Sequence, residues 1–253
     1  MPPRALDPSG LFLIDKPEGP SSFAVVADVR RRTGARTGHA GTLDPFATGL
    51  LVLLSGAATR LAPCFVGLDK RYVTDLDLTA TTSTADPEGE VVERHDGPPQ
   101  DELDERLAQL RGEVELPIPA LSAVKIDGER AYRLARRGVE VEMPVRRSQV
   151  YELEVVGSTG DADGVAAVRL ELHVSSGTYV RAIAQALGGH CTTLRRTAVG
   201  PFRIEEATDV EAAALMPASV ALGRLPEDAV ARVPDTVRAG VLALESGSGE
   251  GAA

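Results

Sequence analysis

The chain has 253 residues, of which 43% are hydrophobic and 25% charged, a composition typical of a folded protein with one large or two modest domains. No apolar run reaches the roughly 20 residues of a membrane-spanning helix and the N-terminus lacks signal-peptide character, so we expect a cytoplasmic protein. The two cysteines and four histidines show no metal-ligand spacing, which argues against a metal cofactor.

The net charge of −10 is distributed unevenly. Residues 86–115 hold 11 acidic and 3 basic residues, and residues 205–253 hold 9 acidic and 3 basic ones, so the remaining positions carry +4. Arginines cluster in that remainder, at positions 30–36, 130–147 and 195–203. Phosphate contacts require such basic side chains, although an arginine cluster alone is more often a solvated surface. The composition therefore permits an RNA partner without requiring one.

The first third of the chain predicts a strand, a helix and a second apolar element. Residues 11–15 form a short apolar run before a Pro-Gly turn, the pattern of a buried strand. Residues 21–34 predict an amphipathic helix that Ser21 or Ser22 caps and Gly34 ends, with an apolar side made of Phe23, Val25, Val26 and Val29. Residues 50–54 (LLVLL) are a buried strand or a helix end, because their periodicity does not decide between the two.

Strands dominate the middle of the chain, and helices are interleaved irregularly. Alternation of apolar and polar residues predicts strands at 72–78, 148–156, 165–174 and 194–199, and a short strand lies between the loops of 86–100. Helical spacing is found at 102–110, 129–137 and 178–187. This irregular order favours an α+β fold over a doubly wound sheet. Beyond about residue 211 Ala, Pro and Gly accumulate, and 245–253 has the composition of a flexible tail.

The most informative stretch is the Asp44 segment, residues 38–51 (GHAGTLDPFATGLL). Pro45 restricts the Asp44 backbone to extended or turn conformations, and Gly41 and Gly49 allow tight turns and close backbone approach. These residues would fix a carboxylate on a rigid loop between two apolar elements. From spacing alone, an Asp-Pro pair flanked by glycines is more often a structural turn.

The whole Asp44 segment resembles the signature loop of the bacterial tRNA pseudouridine-55 synthases of the TruB type. Further blocks resemble this family in the same order, at 13–22 (LIDKPEGPSS), 70–72 (KRY), 122–138 (SAVKIDGERAYRLARRG), 175–183 (SSGTYVRAI) and 194–202 (LRRTAVGPF). The likeness covers roughly residues 10–207. Several ordered blocks are a far more specific signal than one motif.

The resemblance implies a fold and a domain plan. The expected fold is α+β, with a mixed or antiparallel central sheet, flanking helices and an RNA-clamping insertion at about 116–147. We expect an N-terminal tail at 1–9, a catalytic domain at 10–207 and a short C-terminal region with a flexible tail at 208–253. The last region is acidic and has too little strand pattern for the complete PUA-like domain usual in the family, so weaker tRNA binding is expected. The segment 187–194 is shorter than in most members of this family. Leu121 stands where the family commonly has a tyrosine.

The resemblance also implies a reaction and its residues. Pseudouridine formation breaks the N1–C1′ bond and rejoins the uracil through C5, so it needs a carboxylate but no cofactor. Asp44 would be that carboxylate, acting at C1′ or through a glycal route, and Arg181 would pair with it and keep it ionised. Tyr72 would stack on the flipped uracil or serve as a base. Tyr179 and Leu194 would line the pocket.

Two further residues and the RNA partner follow from the same resemblance. His39 would enter the RNA loop and fill the space of the extruded nucleotide. Lys16, placed among the substrate-binding residues, would support the Asp44 segment rather than touch the base. The expected substrate is the T-arm hairpin of tRNA with its uridine 55, read by shape and phosphate contacts. We expect a monomer with no obligatory protein partner.

Two other functions remain as alternatives. The chain could be a tRNA-binding or folding-helper protein whose catalysis is secondary or lost, but retention of Asp44, Tyr72 and Arg181 speaks against loss. It could instead be a guide-RNA-dependent pseudouridine synthase subunit, which the short acidic C-terminal region disfavours.

Overall fold

The computed structural model describes residues 9–119, 122, 124–126, 129–130, 143–161 and 164–246. The chain forms two compact units, each described by itself below. Unit 1 is Met1–Lys70 with Arg195–Ala253, and unit 2 is Arg71–Leu194. No helix of the described residues is long and apolar enough to cross a membrane.

The described strands and helices are numbered in chain order. The strands are β1 Gly10–Lys16, β2 Thr37–His39, β3 Thr48–Ser55, β4 Lys70–Asp77, β5 Ala80–Thr82, β6 Val91–Arg94, β7 Gly112–Pro117, β8 Lys125–Ile126, β9 Glu129–Arg130, β10 Val145–Gly160, β11 Val165–Val174, β12 His190–Val199, β13 Phe202–Arg203 and β14 Met216–Pro217. The α-helices are α1 Ser22–Thr33, α2 Ala62–Val66, α3 Gln100–Gln109, α4 Val180–Ala186, α5 Ala218–Gly223, α6 Glu227–Val230 and α7 Asp235–Ser246.

The sheet of unit 1 is mixed. Strand β3 pairs antiparallel with β1 along the whole of β1, and antiparallel with β2. On its other side β3 pairs parallel with β12, where Arg195 lies opposite Thr48 and Arg196 opposite Gly49. All residues of β3 after Thr48 are buried, so both faces of the strand are covered. A strand covered on both faces needs no alternation, which explains why the run at 50–54 did not distinguish strand from helix.

The C-terminal helices of the described chain complete the core of unit 1. Ala218, Ala221, Leu225, Ala229 and Val241 are buried in one hydrophobic cluster with apolar side chains of β1, β3 and α2. These helices were not predicted, because α5 and α6 are short and the segment after residue 211 is rich in Ala, Pro and Gly. The domain boundary at 207 stays a prediction, and the tail after 246 lies outside the described residues.

Unit 2 contains the first half of β12 and four further strands, in the order β12-β4-β11-β10-β7. Strand β10 pairs antiparallel with β11 and with β7. Side chains of β4 alternate between buried and partly exposed, as its sequence predicts. Two small hairpins, β5-β6 and β8-β9, lie outside this sheet. The structure thus confirms the α+β class and the predicted strands at 72–78, 148–156 and 165–174.

One local prediction was wrong, and another was wrong for its first two residues. Phe23 is 65% exposed, whereas Val25, Val26 and Val29 are buried with Ser22. Successive side chains of a helix are rotated by about 100° around its axis. Phe23 therefore lies outside the buried face that Ser22, Val25, Val26 and Val29 form. The predicted helix at 129–137 begins instead with strand β9, which pairs with β8, and its remainder lies outside the described residues.

Candidate active site

In unit 1 the Asp44 segment runs from β2 into β3, with Asp44 partly buried where the chain turns. The Ala47 amide donates to the Asp44 carbonyl at 3.2 Å, and the Gly19 amide donates to the Pro45 carbonyl at 2.9 Å. The main chain on the C-terminal side of Asp44 is therefore held by backbone hydrogen bonds, as expected for a rigid loop.

Lys16 ties the turn after β1 to the residue that follows Asp44. Its side chain is fully buried, and Nζ donates to the carbonyls of Pro17 at 2.7 Å, Pro20 at 2.8 Å and Pro45 at 3.1 Å. An ammonium group has three protons to donate, and these three carbonyls match them. The geometry agrees with the predicted support of the Asp44 segment, and contact of Lys16 with substrate stays a prediction.

Ser22 holds the residue that precedes Asp44. The hydroxyl of this buried serine accepts from the Leu43 amide at 2.8 Å and lies 2.8 Å from the Leu43 carbonyl, to which it can donate. The first turn of α1 is thereby joined directly to the Asp44 segment. The same serine was predicted only as a possible helix cap, and Ser21 provides that cap instead.

Arg196 binds the Asp44 segment from β12. The side chain is 1% exposed, and its guanidinium donates to the carbonyls of Leu50 at 2.7 Å, Gly41 at 3.1 Å and Thr42 at 3.2 Å. Gly49 has a φ of 102°, and a Cβ there would lie 2.3 Å from the Arg196 carbonyl oxygen, so only glycine fits. This role was not predicted, because Arg196 was assigned to a basic cluster. The alternation of β12, which turns Arg195 and Arg196 to opposite faces, was the available signal.

Two neighbouring titratable groups are affected by the Arg196 charge. Burial, and then Arg196, lower the pKa of His39, so this histidine is neutral at neutral pH. Its Nδ1 is buried and has no hydrogen-bond partner among the described residues. Burial chiefly, with Arg196 next, lowers the pKa of Lys70 to about 7, and Asp69 opposes the change. The Lys70 ammonium donates to the carbonyls of Val66 and Leu68. The predicted entry of His39 into an RNA loop stays a prediction.

In unit 2 Arg181 is held by a buried acid. Arg181 lies on α4 and is 3% exposed, and its Nη1 donates to Asp86 Oδ2 at 3.1 Å and to the Thr84 carbonyl at 2.9 Å. The other carboxylate oxygen of Asp86 accepts from the Thr84 hydroxyl and from the Glu88 amide. Sequence reasoning placed Asp86 in an ordinary loop and missed this pair. The predicted pairing of Arg181 with Asp44 joins residues of different units and stays a prediction.

The remaining predicted site residues also lie in unit 2. Tyr72 is 8% exposed on the buried face of β4, and Leu194 is 7% exposed on the neighbouring strand β12. Tyr179 is partly buried and immediately precedes α4. Their pocket-lining roles stay predictions. In the described part of the chain no three His, Cys, Asp or Glu side chains are grouped as a metal site would require.

A family model described as the N-terminal domain of the TruB family pseudouridylate synthases matches residues 30–180. The chain belongs to this family. It is 45% identical over 237 residues to the tRNA pseudouridine synthase B of Leifsonia xyli, which covers 87% of this chain and 78% of that one. The enzyme of the same name from Aromatoleum aromaticum is 40% identical over 249 residues, which is 92% of this chain and 79% of that one.

Solved structures of this fold include a chain of a Cbf5-Nop10-Gar1 complex. That chain is 28% identical to this one, with a TM-score of 0.59 over 79% of this chain and 52% of its own length. The present chain thus spans about half of it. The similarity confirms the pseudouridine-synthase fold that the sequence motifs predict.

Proposed function

We propose that this chain is an isomerase that converts uridine to pseudouridine in tRNA, at uridine 55 of the T loop, with Asp44 as the essential carboxylate. The observation that carries the proposal is the construction of the Asp44 segment. The buried side chains of Lys16, Ser22 and Arg196 bind its main chain on both sides of Asp44 by hydrogen bonds. The name shared by the curated relatives supports tRNA as the substrate.

The proposed reaction conserves every atom of the uridine. The Asp44 carboxylate either attacks C1′ as a nucleophile or assists loss of a ribose proton, and the N1–C1′ bond breaks in both routes. The detached uracil turns and C5 bonds to C1′, which breaks the Asp44–C1′ bond in the first route and is accompanied by return of the proton to the ribose in the second. The C5 proton is then lost while N1 gains one. The uridine must leave the base stack before this chemistry, which is a base-flipping reaction.

Arg181 and Tyr72 have supporting roles in the proposal. A guanidinium near the reacting carboxylate would keep it ionised, and Asp86 holds the Arg181 guanidinium in a fixed place within unit 2. Tyr72 would present its ring to the flipped uracil, with Tyr179 and Leu194 closing the pocket. His39 would occupy the space that the uridine leaves in the RNA loop.

The experiment is to incubate the purified chain with unmodified tRNA and map pseudouridine at nucleotide resolution. We expect a single modified position in the T loop, equal yields with and without EDTA, and activity on an isolated T-arm hairpin. Binding without any pseudouridine would favour a tRNA-binding or folding-helper protein. Modification only after addition of a guide RNA would favour a guide-dependent subunit. Either result would refute the proposal.

A further inference from the structure

We propose that Arg196 is a positioning residue for Asp44: its guanidinium fixes the main chain on both sides of the carboxylate. The inference rests on the proposed function for the identity of the reacting group. Arg196 touches no part of the proposed substrate in this account and acts only through the backbone of the Asp44 segment.

The contacts of Arg196 join the two ends of the Asp44 segment. Its two terminal nitrogens donate to the carbonyls of Gly41 and Thr42, before Asp44, and Nε donates to the carbonyl of Leu50, after it. Lys16 binds the Pro45 carbonyl, after Asp44, and Ser22 binds the main chain of Leu43, before it. Arg196 is therefore the residue, among these three, whose side chain sets the distance between the incoming and outgoing main chain.

The chemistry of the group suits this task. A guanidinium is planar, carries five donors in a fixed fork and stays charged at every working pH, whereas a lysine ammonium is a compact point charge on a flexible stem. A lysine at this position could reach one pair of carbonyls but could not hold both ends of the Asp44 segment in a fixed geometry. The backbone around Arg196 is equally constrained, because the close approach of β12 to β3 leaves no space for a side chain at Gly49.

Positioning matters because reaction rates depend steeply on the placement of the reacting group. A displacement of about 1 Å can reduce a rate roughly a hundredfold. Loss of the Arg196 guanidinium would release the ends of the Asp44 segment while leaving the RNA-binding surfaces in place. The expected effect is therefore on kcat rather than on KM.

The test compares Arg196→Met and Arg196→Lys with a control, Arg224→Met, in the full chain. Arg224 is also an arginine of unit 1 that is partly buried and binds backbone, through the Pro201 carbonyl, and it pairs with Glu206. Two kinds of measurement are made: the amide hydrogen exchange of peptides covering 40–51, and the rate of pseudouridine formation over a range of tRNA concentrations, which gives kcat and KM. If Arg196→Met does not fold, the same measurements on Arg196→Lys provide the test.

Arg196→Met should exchange faster at 40–51, react about a hundredfold more slowly and keep KM within about threefold. Arg196→Lys should lose at least about tenfold in rate. Arg224→Met should lower the melting temperature yet keep the exchange at 40–51 and the rate within about twofold. A wild-type rate in folded Arg196→Met or Arg196→Lys, or a raised KM with unchanged kcat, would overturn the inference. If the wild-type chain forms no pseudouridine, the proposed function is refuted and the rates no longer test Arg196. The hydrogen exchange still tests it, because unchanged exchange at 40–51 in folded Arg196→Met would refute the positioning role.

Discussion

The two units hold their predicted active-site charges in opposite ways. In unit 1 the carboxylate of interest is placed indirectly, because buried cations at Lys16 and Arg196 bind carbonyls of the surrounding main chain. In unit 2 the cation is placed directly, because the Asp86 carboxylate binds the Arg181 guanidinium itself. Cations bound to carbonyls can fix a loop without using the carboxylate that the loop carries. A buried ion pair fixes one side chain, and loss of the acid leaves the buried guanidinium without that compensating charge.

The direct arrangement should be the more fragile of the two. Asp86→Ala removes the carboxylate at 3.1 Å from a guanidinium that is 3% exposed. Breaking a buried pair on one side typically costs about 3–5 kcal/mol, so we expect a loss of that order in the free energy of unfolding from urea titrations. Activity should fall as well, since Arg181 would no longer be fixed.

A double variant sharpens this comparison. Arg181→Met with Asp86→Ala removes both charges and should recover a large part of the lost stability without recovering activity. Equal stability of Asp86→Ala and the wild-type chain would show that the ion pair does not position Arg181.

The indirect arrangement predicts a dependence of stability on pH. Lys70 has a folded-state pKa of about 7, lowered by burial and by Arg196, whereas an unfolded lysine titrates near about 10.4. Between these values the unfolded chain binds more protons than the folded chain, so this group makes stability rise with pH. The slope attributable to Lys70 is at most about 1.4 kcal/mol per pH unit.

Urea titrations of the wild-type chain and Lys70→Met at pH 7, 8 and 9 measure this slope by difference. The variant should be the less pH-dependent protein across that window. Parallel curves for the two proteins would mean that burial and Arg196 do not lower the pKa of Lys70.

Local sequence patterns were sufficient for some elements and insufficient for others. The strands β1 and β11 and the helix α1 could be predicted, because a short apolar run, strict alternation and a serine cap with a C-terminal glycine act within a few residues. The helices α5 and α6 could not be predicted, because Ala218–Gly223 and Glu227–Val230 are too short to show a helical period.

The candidate site divides in the same way. Asp44 could be found because its neighbours in sequence form a recognisable segment. Asp86 could not be found, because it looks like an ordinary loop acid and its partner Arg181 lies 95 residues away. The alternation of β12 could show that Arg196 faces the core but not what it binds, because its partner Leu50 lies 146 residues away. Pairing across such distances is decided by tertiary structure, which a single sequence does not reveal.

The smallest expected effect concerns the surface of α1. Phe23→Ala should change the free energy of unfolding by less than about 0.5 kcal/mol, because the ring is 65% exposed. Val26→Ala should cost more, about 1–3 kcal/mol, because Val26 is 1% exposed. Urea titrations of both variants measure these two changes in the free energy of unfolding. A larger loss for Phe23→Ala than for Val26→Ala would contradict the orientation of α1.

The central claim is that Asp44 is the essential carboxylate of a tRNA pseudouridine synthase. The most direct test is the single-turnover rate of pseudouridine formation in unmodified tRNA by Asp44→Asn, in protein shown by mass spectrometry not to have deamidated. An amide keeps the size of the side chain but cannot act as the ionised acid, so the account predicts normal folding, nearly normal tRNA binding and no measurable pseudouridine. Product formation by this variant above a few per cent of the wild-type rate would contradict the role of Asp44 as the essential carboxylate.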